Sequence, residues 1–136
     1  MTRRHISSGS PWEALAGYSR AVVQPLPGGE WIFVAGTLGM VDPASGRLAE
    51  GAQAQTHRAL DMVERALAEV PASLADTVRV VAYVPERGDV PAVAAVLKER
   101  LGTARPANTT VCCPLAVPGA LVELEITALR PTVARP

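Results

Sequence analysis

The feature of this sequence that most constrains its fold is an alternating stretch near the C-terminus, residues 120–126. Side chains alternate between the two faces of a strand, so every second residue there shares a face. One face is wholly apolar and can cover a core: Ala120, Val122, Leu124 and Ile126. The opposite face places Glu123 and Glu125 between Leu121 and Thr127. The stretch predicts a half-buried strand. The two acids on its second face are unusual on an otherwise apolar strand and require an explanation.

The rest of the chain predicts four more strands and two helices. Strands are expected at residues 18–23, 31–36, 78–84, 109–113 and 120–129. Helices are expected at 52–70, which Pro71 ends, and at 90–101, between Asp89 at the N-cap position and Gly102. The order β-β-α-β-α-β-β predicts an α+β fold, a mixed sheet with both helices on one face. A partner subunit is the simplest cover for the other face.

Length and composition favour one domain, residues 1–136, with 1–10 and 131–136 loose and Trp12 packed as an anchor. The 13 basic and 13 acidic residues cancel, so we expect no nucleic-acid partner. No apolar run is long enough to span a membrane, and the N-terminus lacks the apolar segment of a signal peptide. We therefore expect a soluble, cytoplasmic protein.

The potential metal ligands and nucleophiles do not form a recognisable site. Cys112 and Cys113 are adjacent, so they cannot close an ordinary disulfide loop, and at most one can reach a cleft. Both are expected to be small buried residues rather than nucleophiles. His5 and His57 have no second ligand at metal spacing, so we expect no metal site.

Several segments, in register, resemble the RidA/YjgF family of enamine and imine deaminases. They are Gly-Tyr-Ser-Arg-Ala-Val at 17–22, Phe-Val-Ala-Gly-Thr at 33–37, Ala-Gln-Thr at 54–56, Arg-Pro-Ala-Asn-Thr-Thr-Val at 105–111 and Ala-Leu-Val-Glu-Leu-Glu-Ile at 120–126. The resemblance implies a chorismate-mutase-like fold and a homotrimer with ligand clefts between subunits. It also implies water-driven release of ammonia from reactive enamines and imines, without metal or organic cofactor.

The resemblance assigns roles to individual residues. Glu123 would hold the attacking water, Tyr18 would line the cleft, and Gly36 and Thr37 would form its floor. The departure is Asn108, because the deaminases carry there an arginine that clamps the substrate carboxylate. Asparagine offers only neutral hydrogen bonds, worth about 1 kcal/mol against about 1.5–3 for charge-assisted ones.

Alternatives remain open for each position. Glu123 is either an acid/base group with a raised pKa or an ordinary strand acid, and Glu125 is expected to be structural, as an interface ion pair. Arg20 either replaces the missing clamp or lies at the surface or at an interface, and Arg105 is a second candidate for the clamp.

The leading hypothesis is a protein that acts on a small imine- or enamine-type metabolite other than the usual 2-imino acids, with Asn108 and Thr109 contacting a polar, uncharged group. The alternative is a non-catalytic ligand-binding or interaction module of the same fold.

Overall fold

The computed structural model describes residues 2–132, which form eight strands and three α-helices. The strands are β1 (Arg4–Ile6), β2 (Ala21–Leu26), β3 (Gly29–Leu38), β4 (Met40–Asp42), β5 (Arg47–Leu48), β6 (Thr77–Tyr83), β7 (Ala107–Val111) and β8 (Glu123–Pro131). The helices are α1 (Pro11–Ala16), α2 (Ala52–Ala68) and α3 (Val90–Leu101).

Six strands form the main sheet, in the order β1-β2-β3-β8-β6-β7. Neighbours pair antiparallel except β6 and β7, which are parallel and are joined through α3. Parallel neighbours need such a crossover because a tight turn reverses the chain direction. Strands β4 and β5 form a separate small hairpin around residues 43–46.

The two long helices cover one face of this sheet. Register places Ala21, Val34, Ile126 and Val80 side by side on that face, and all four are buried. They belong to one apolar cluster with α2 and α3, which contribute Leu60, Val63, Leu67, Val93, Val96 and Leu101. The opposite face carries Phe33, which is about half exposed, and Trp31, whose ring centroid lies 6.3 Å from that of Phe33.

The architecture confirms the predicted mixed sheet, with its hairpin of β2 and β3 and two main helices. Element ends differ from the predictions by a few residues, and the first predicted strand is displaced. Tyr18 and Arg20 were expected on that strand, but β2 begins at Ala21. Gly17 ends α1 in a left-handed conformation, so residues 18–20 are the connection between helix and strand.

Three small elements were not predicted: β1, α1 and the β4–β5 hairpin. Residues 1–10 were expected to be loose, whereas Arg4–Ile6 pair with Ala21, Val22 and Val23. Within β1, Ile6 is buried while Arg4 and His5 are exposed. One buried residue in three gives this edge strand almost no hydrophobic pattern in the sequence. Of the expected loose tail, Pro131 ends β8 and Thr132 donates a backbone hydrogen bond to Gly28; residues 133–136 lie outside the described range.

Gln55 fastens the start of α2 to the loop that leads into β8. Its amide donates to the carbonyls of Ala49 and Gly119, at 3.0 and 3.1 Å, and its Oε1 accepts from the Leu121 N–H at 2.8 Å. The side chain is buried, and both ends of its amide are hydrogen-bonded. Through these bonds, helix α2 holds in place the loop that precedes Glu123.

Candidate functional site

A β-bulge at the end of β3 shapes the site. The register of β3 against β8 shifts between Val34 and Thr37, which frees the intervening backbone from the regular ladder. The Ala35 carbonyl accepts from the buried Thr37 hydroxyl at 2.7 Å, and the Ala35 N–H donates to the Arg20 carbonyl at 2.9 Å. These two contacts hold the bulge in place.

Gly36, in the bulge, makes room for the carboxyl group of Glu123. A Cβ atom at Gly36 would stand 3.1 Å from both Cδ and Oε2 of Glu123, which is tighter than ordinary contact. Glu123 is itself partly buried at the first position of β8. Burial raises the pKa of Glu123, nearby Arg20 opposes this effect, and Glu125 adds to it; the net direction is upward.

Arg20 is a buried cation beside this carboxyl group. Only 6% of the residue is exposed, and its Nη2 donates to the Gly36 carbonyl at 2.8 Å. Its Nε has no hydrogen-bond acceptor among the described residues. Burial lowers the pKa of Arg20, while Tyr18, Glu13 and Glu123 oppose that effect. Of the alternatives for Arg20, a solvent-exposed surface arginine does not fit this burial.

Helix α1 and its flanks close one side of the site. Ser10 caps the helix by accepting from the Trp12 N–H at 3.3 Å, with Pro11 in the first turn. The buried carboxylate of Glu13 accepts from the N–H of Ser8 at 3.1 Å and from its hydroxyl. Burial raises the pKa of Glu13, but the Ser8 and Ser7 donors outweigh burial and leave it lowered. Glu13 thus ties the segment before the helix to the helix itself.

These elements enclose a cavity of about 270 Å³. Four of the residues singled out from the sequence line it together: Tyr18, Arg20, Gly36 and Glu123. Its apolar wall includes Trp12, Leu38, Met40, Pro43, Met62 and Val117. Trp12 is 52% exposed, so it borders the cavity instead of anchoring the core as expected. No sequence pattern indicated this wall, because its residues come from separate elements.

Other predicted site residues lie elsewhere. Thr37 is fully buried with its hydroxyl bonded to Ala35, so it does not line the cavity and supports the bulge instead. Asn108 lies opposite Val80 on the helix-covered face and borders a separate groove of about 300 Å³ beside α3, together with Arg105 and Lys98. Thr109 lies on the opposite face, where its hydroxyl oxygen accepts from Arg79 at 3.4 Å.

The remaining polar residues of interest have local roles. Glu125 was expected to form an interface ion pair; it accepts a hydrogen bond from the Tyr83 hydroxyl at 3.0 Å within the chain. That bond raises the pKa of Tyr83. Cys112 is exposed and Cys113 partly exposed, both as free thiols, so neither is the buried core residue that the sequence suggested.

Between residues 2 and 132, no three His, Cys, Asp or Glu side chains cluster closely enough to hold a metal ion. Over the same range, no helix is long and apolar enough to cross a membrane.

The cavity combines the parts of an acid–base site. A carboxyl group with a raised pKa is a better proton acceptor than an ordinary carboxylate and can return the proton it accepts. Arg20 adds a fixed positive charge, Tyr18 adds a phenol, and the apolar wall limits competing water. The cavity therefore brings an acid, a cation, a phenol and an apolar wall together in one volume.

Comparison with known proteins identifies the family. The sequence model described as Endoribonuclease L-PSP matches residues 9–130, and the chain belongs to this family. The predicted RidA/YjgF membership and fold are confirmed by the relatives that follow.

A RutC family protein of Pyrococcus abyssi is 32% identical over 108 residues, covering 79% of this chain and 84% of that protein. The crystal structure of Rv2704 from Mycobacterium tuberculosis, a member of the YjgF/YER057c/UK114 family, is 38% identical with a TM-score of 0.81. It covers 93% of this chain and 98% of its own. NMB1025 of Neisseria meningitidis, a YjgF family member, is 28% identical with a TM-score of 0.76, covering 98% of both chains.

Proposed function

We propose that this protein hydrolyses a small, reactive imine or enamine metabolite, with Glu123 as the acid/base group. The observation that carries the proposal is the Glu123 carboxyl, with its raised pKa, in a cavity shared with Arg20 and Tyr18. The RidA/YjgF relationship supplies the reaction class.

The reaction uses water and one proton relay. The substrate is the protonated imine: ionised Glu123 accepts a proton from water as the water oxygen bonds to the carbon, and the C=N electrons return to nitrogen to give a neutral amine. Protonated Glu123 then donates that proton to the nitrogen. As the C–N bond breaks and ammonia leaves, Glu123 takes the hydroxyl proton, the C=O bond forms, and Glu123 finally releases this proton to solvent. A carboxyl group with a pKa nearer neutrality can do both steps.

The substrate is proposed to differ from the usual 2-imino acids. Asn108 offers only neutral hydrogen bonds where the resemblance expects the carboxylate-clamping arginine. Within one chain Asn108 and Glu123 line different cavities, so a shared cleft needs a second subunit. The half-exposed Phe33 on the uncovered sheet face supports such an assembly, and we propose a homotrimer.

The family name refers to an endoribonuclease. Equal numbers of acidic and basic residues argue against a phosphate-binding surface in this chain, so RNA cleavage is not the function we favour.

The test is ammonia release from a panel of imines generated in place by amino-acid and amine oxidases, including 2-iminopropanoate. Light scattering should give three times the mass of the chain. We expect turnover of at least one imine, and 2-iminopropanoate turned over more slowly than by an arginine-bearing relative. If this protein turned over 2-iminopropanoate as fast as the arginine-bearing relative does, the proposal that its substrate differs from the usual 2-imino acids would be overturned.

The competing possibility is a binding module without turnover. If no imine is hydrolysed, while wild type and Glu123→Gln retain the same metabolites from a lysate, then binding alone is the better account and the proposal fails.

A further inference from the structure

Arg20 carries a buried charge for which the fold provides no paired acid. None of the ion pairs within 4.0 Å in the described part of the chain includes Arg20. Glu13 and Glu123 influence Arg20 only through their charge and form no ion pair with it, and the carboxylate of Glu13 is hydrogen-bonded to Ser8. An unpaired buried charge costs free energy, so its presence needs an explanation beyond packing.

Most of the guanidinium has no hydrogen-bond acceptor in the described chain. One of its five N–H groups donates to the Gly36 carbonyl, and the buried Nε–H has no acceptor. A purely structural tie to the Gly36 carbonyl could be made by a neutral donor without burying a full charge. The buried Nε–H is closed to solvent, but Arg20 lines the cavity, so guanidinium N–H groups on its cavity side can take an acceptor from outside the chain.

The position of Arg20 is the one that an anion-binding group would need. The arginine bonds to the same glycine whose Cα faces the Glu123 carboxyl, so cation and acid/base group flank one small volume. The acceptor side chains of the cavity are Ser10, Tyr18 and Glu123. The rest of the wall is apolar, with Met62, Leu38 and Pro43, and a low local polarity strengthens a charge-assisted bond.

We infer that Arg20 is a specificity-determining residue, which selects ligands that carry a carboxylate or similar anionic group in the Glu123 cavity. This inference rests on the proposed function for its reaction but not for its binding. Because Arg20 is already tied to Gly36, its contact is weaker than a free bidentate clamp. Anionic imines are therefore preferred over neutral ones without reaching the efficiency of arginine-bearing relatives.

The test is equilibrium binding of pyruvate and of its uncharged amide, pyruvamide, followed by calorimetry or NMR. The two probes have nearly the same size and share the 2-oxo group that imine hydrolysis would produce. Wild type should bind pyruvate about tenfold more tightly, the factor expected when a charge-assisted bond replaces a neutral one. Arg20→Gln should lose that preference while its pyruvamide affinity stays within about twofold. Arg58→Gln, which removes an exposed arginine of α2, should change neither affinity.

Two measurements cover the case in which Arg20→Gln does not fold. Arg20→Lys keeps a charge and should retain part of the preference. In the unmodified protein, the Arg20 Nε–H NMR signal should shift with pyruvate and not with pyruvamide. Equal binding of both probes by wild type, an unshifted Nε–H signal, or a preference kept in Arg20→Gln would each overturn the inference.

The outcomes separate this inference from the proposed function. Arg20-dependent pyruvate binding without hydrolysis of any imine would defeat the proposed function and leave the anion site standing. Glu123-dependent hydrolysis with no preference for anions would defeat only the anion site.

Discussion

Glu123 and Asn108 lie on strands β8 and β7 of one sheet, which are separated by β6, and the fold gives the two residues different surroundings. Glu123 is partly buried, with Gly36 giving it room and Arg20 beside it. Asn108 is exposed on the edge strand β7, and within residues 2–132 its Oδ1 accepts only from the nearby Thr110 hydroxyl, at 3.1 Å. One region is built by the chain itself, and the other is an open surface.

The difference shows which part of the site a single chain can specify. Strand β8 lies inside the sheet, between β3 and β6, so its side chains are constrained on both sides. Strand β7 has one neighbour, and all five of its residues are exposed. The Glu123 cavity should therefore respond sharply to changes in packing, whereas the Asn108 groove should respond mainly to changes in charge.

The largest contrast should appear in stability. Gln55→Met removes three buried hydrogen bonds that hold the loop before Glu123, at similar side-chain volume, and should cost about 2–4 kcal/mol. Asn108→Ala should change the free energy of unfolding by less than about 0.5 kcal/mol. Urea denaturation measures both, and equal losses would contradict the distinction between a built and an open region.

Gly36→Ala should damage activity more than stability. The new Cβ would crowd the end of the Glu123 side chain, which can move aside but then misplaces the carboxyl. We expect kcat/KM for a hydrolysed imine to fall about ten- to a hundredfold. Gly88→Ala is the control, since its Cβ would meet nothing within 4 Å. Similar kinetics for the two variants would mean that the space at Gly36 is not needed.

Asn108→Arg should change which substrate is preferred. Restoring a cation at this position should raise kcat/KM for 2-iminopropanoate by about 5- to 30-fold, the gain of a charge-assisted over a neutral bond. Thr103→Arg adds the same charge at another exposed position and should have little effect. An increase of the same size in both variants would point to general electrostatic attraction instead of a contact at residue 108.

The pH dependence of stability should reveal the raised pKa of Glu123. Because the folded pKa of Glu123 lies above its ordinary value of 4.5, the protonated form suits the fold, and wild type loses stability as pH rises through the folded pKa. Glu123→Gln cannot ionise, so its Tm relative to wild type should increase from pH 4 towards pH 8. Arg20 and Glu125 face the group and modulate the effect. The exposed Glu64→Gln serves as control, and a Tm difference independent of pH would argue against the raised pKa.

The sequence predicted most of the sheet because β3, β6 and β8 have strong β-branched or alternating patterns. It also indicated that Glu123 needed an explanation, since an acid between apolar residues of a strand is unusual. It missed β1 and α1, where polar residues are held by pairing and capping that hydrophobic patterns do not record.

The burial of Arg20 was harder to foresee. Its position in a connection between α1 and β2 resembles a surface site, and only the bulge at Gly36 brings an acceptor within reach. The apolar wall of the cavity likewise joins residues as distant in sequence as Trp12 and Val117. Such contacts depend on tertiary packing, which no local pattern encodes.

The two acids of β8 provide the most direct test. Ammonia release from a hydrolysed imine should fall at least about a hundredfold in Glu123→Gln, the loss expected when a general acid/base is removed. Glu125→Gln, two residues along the same face, should stay within about twofold of wild type. Comparable activity in Glu123→Gln and wild type would contradict the acid/base role of Glu123.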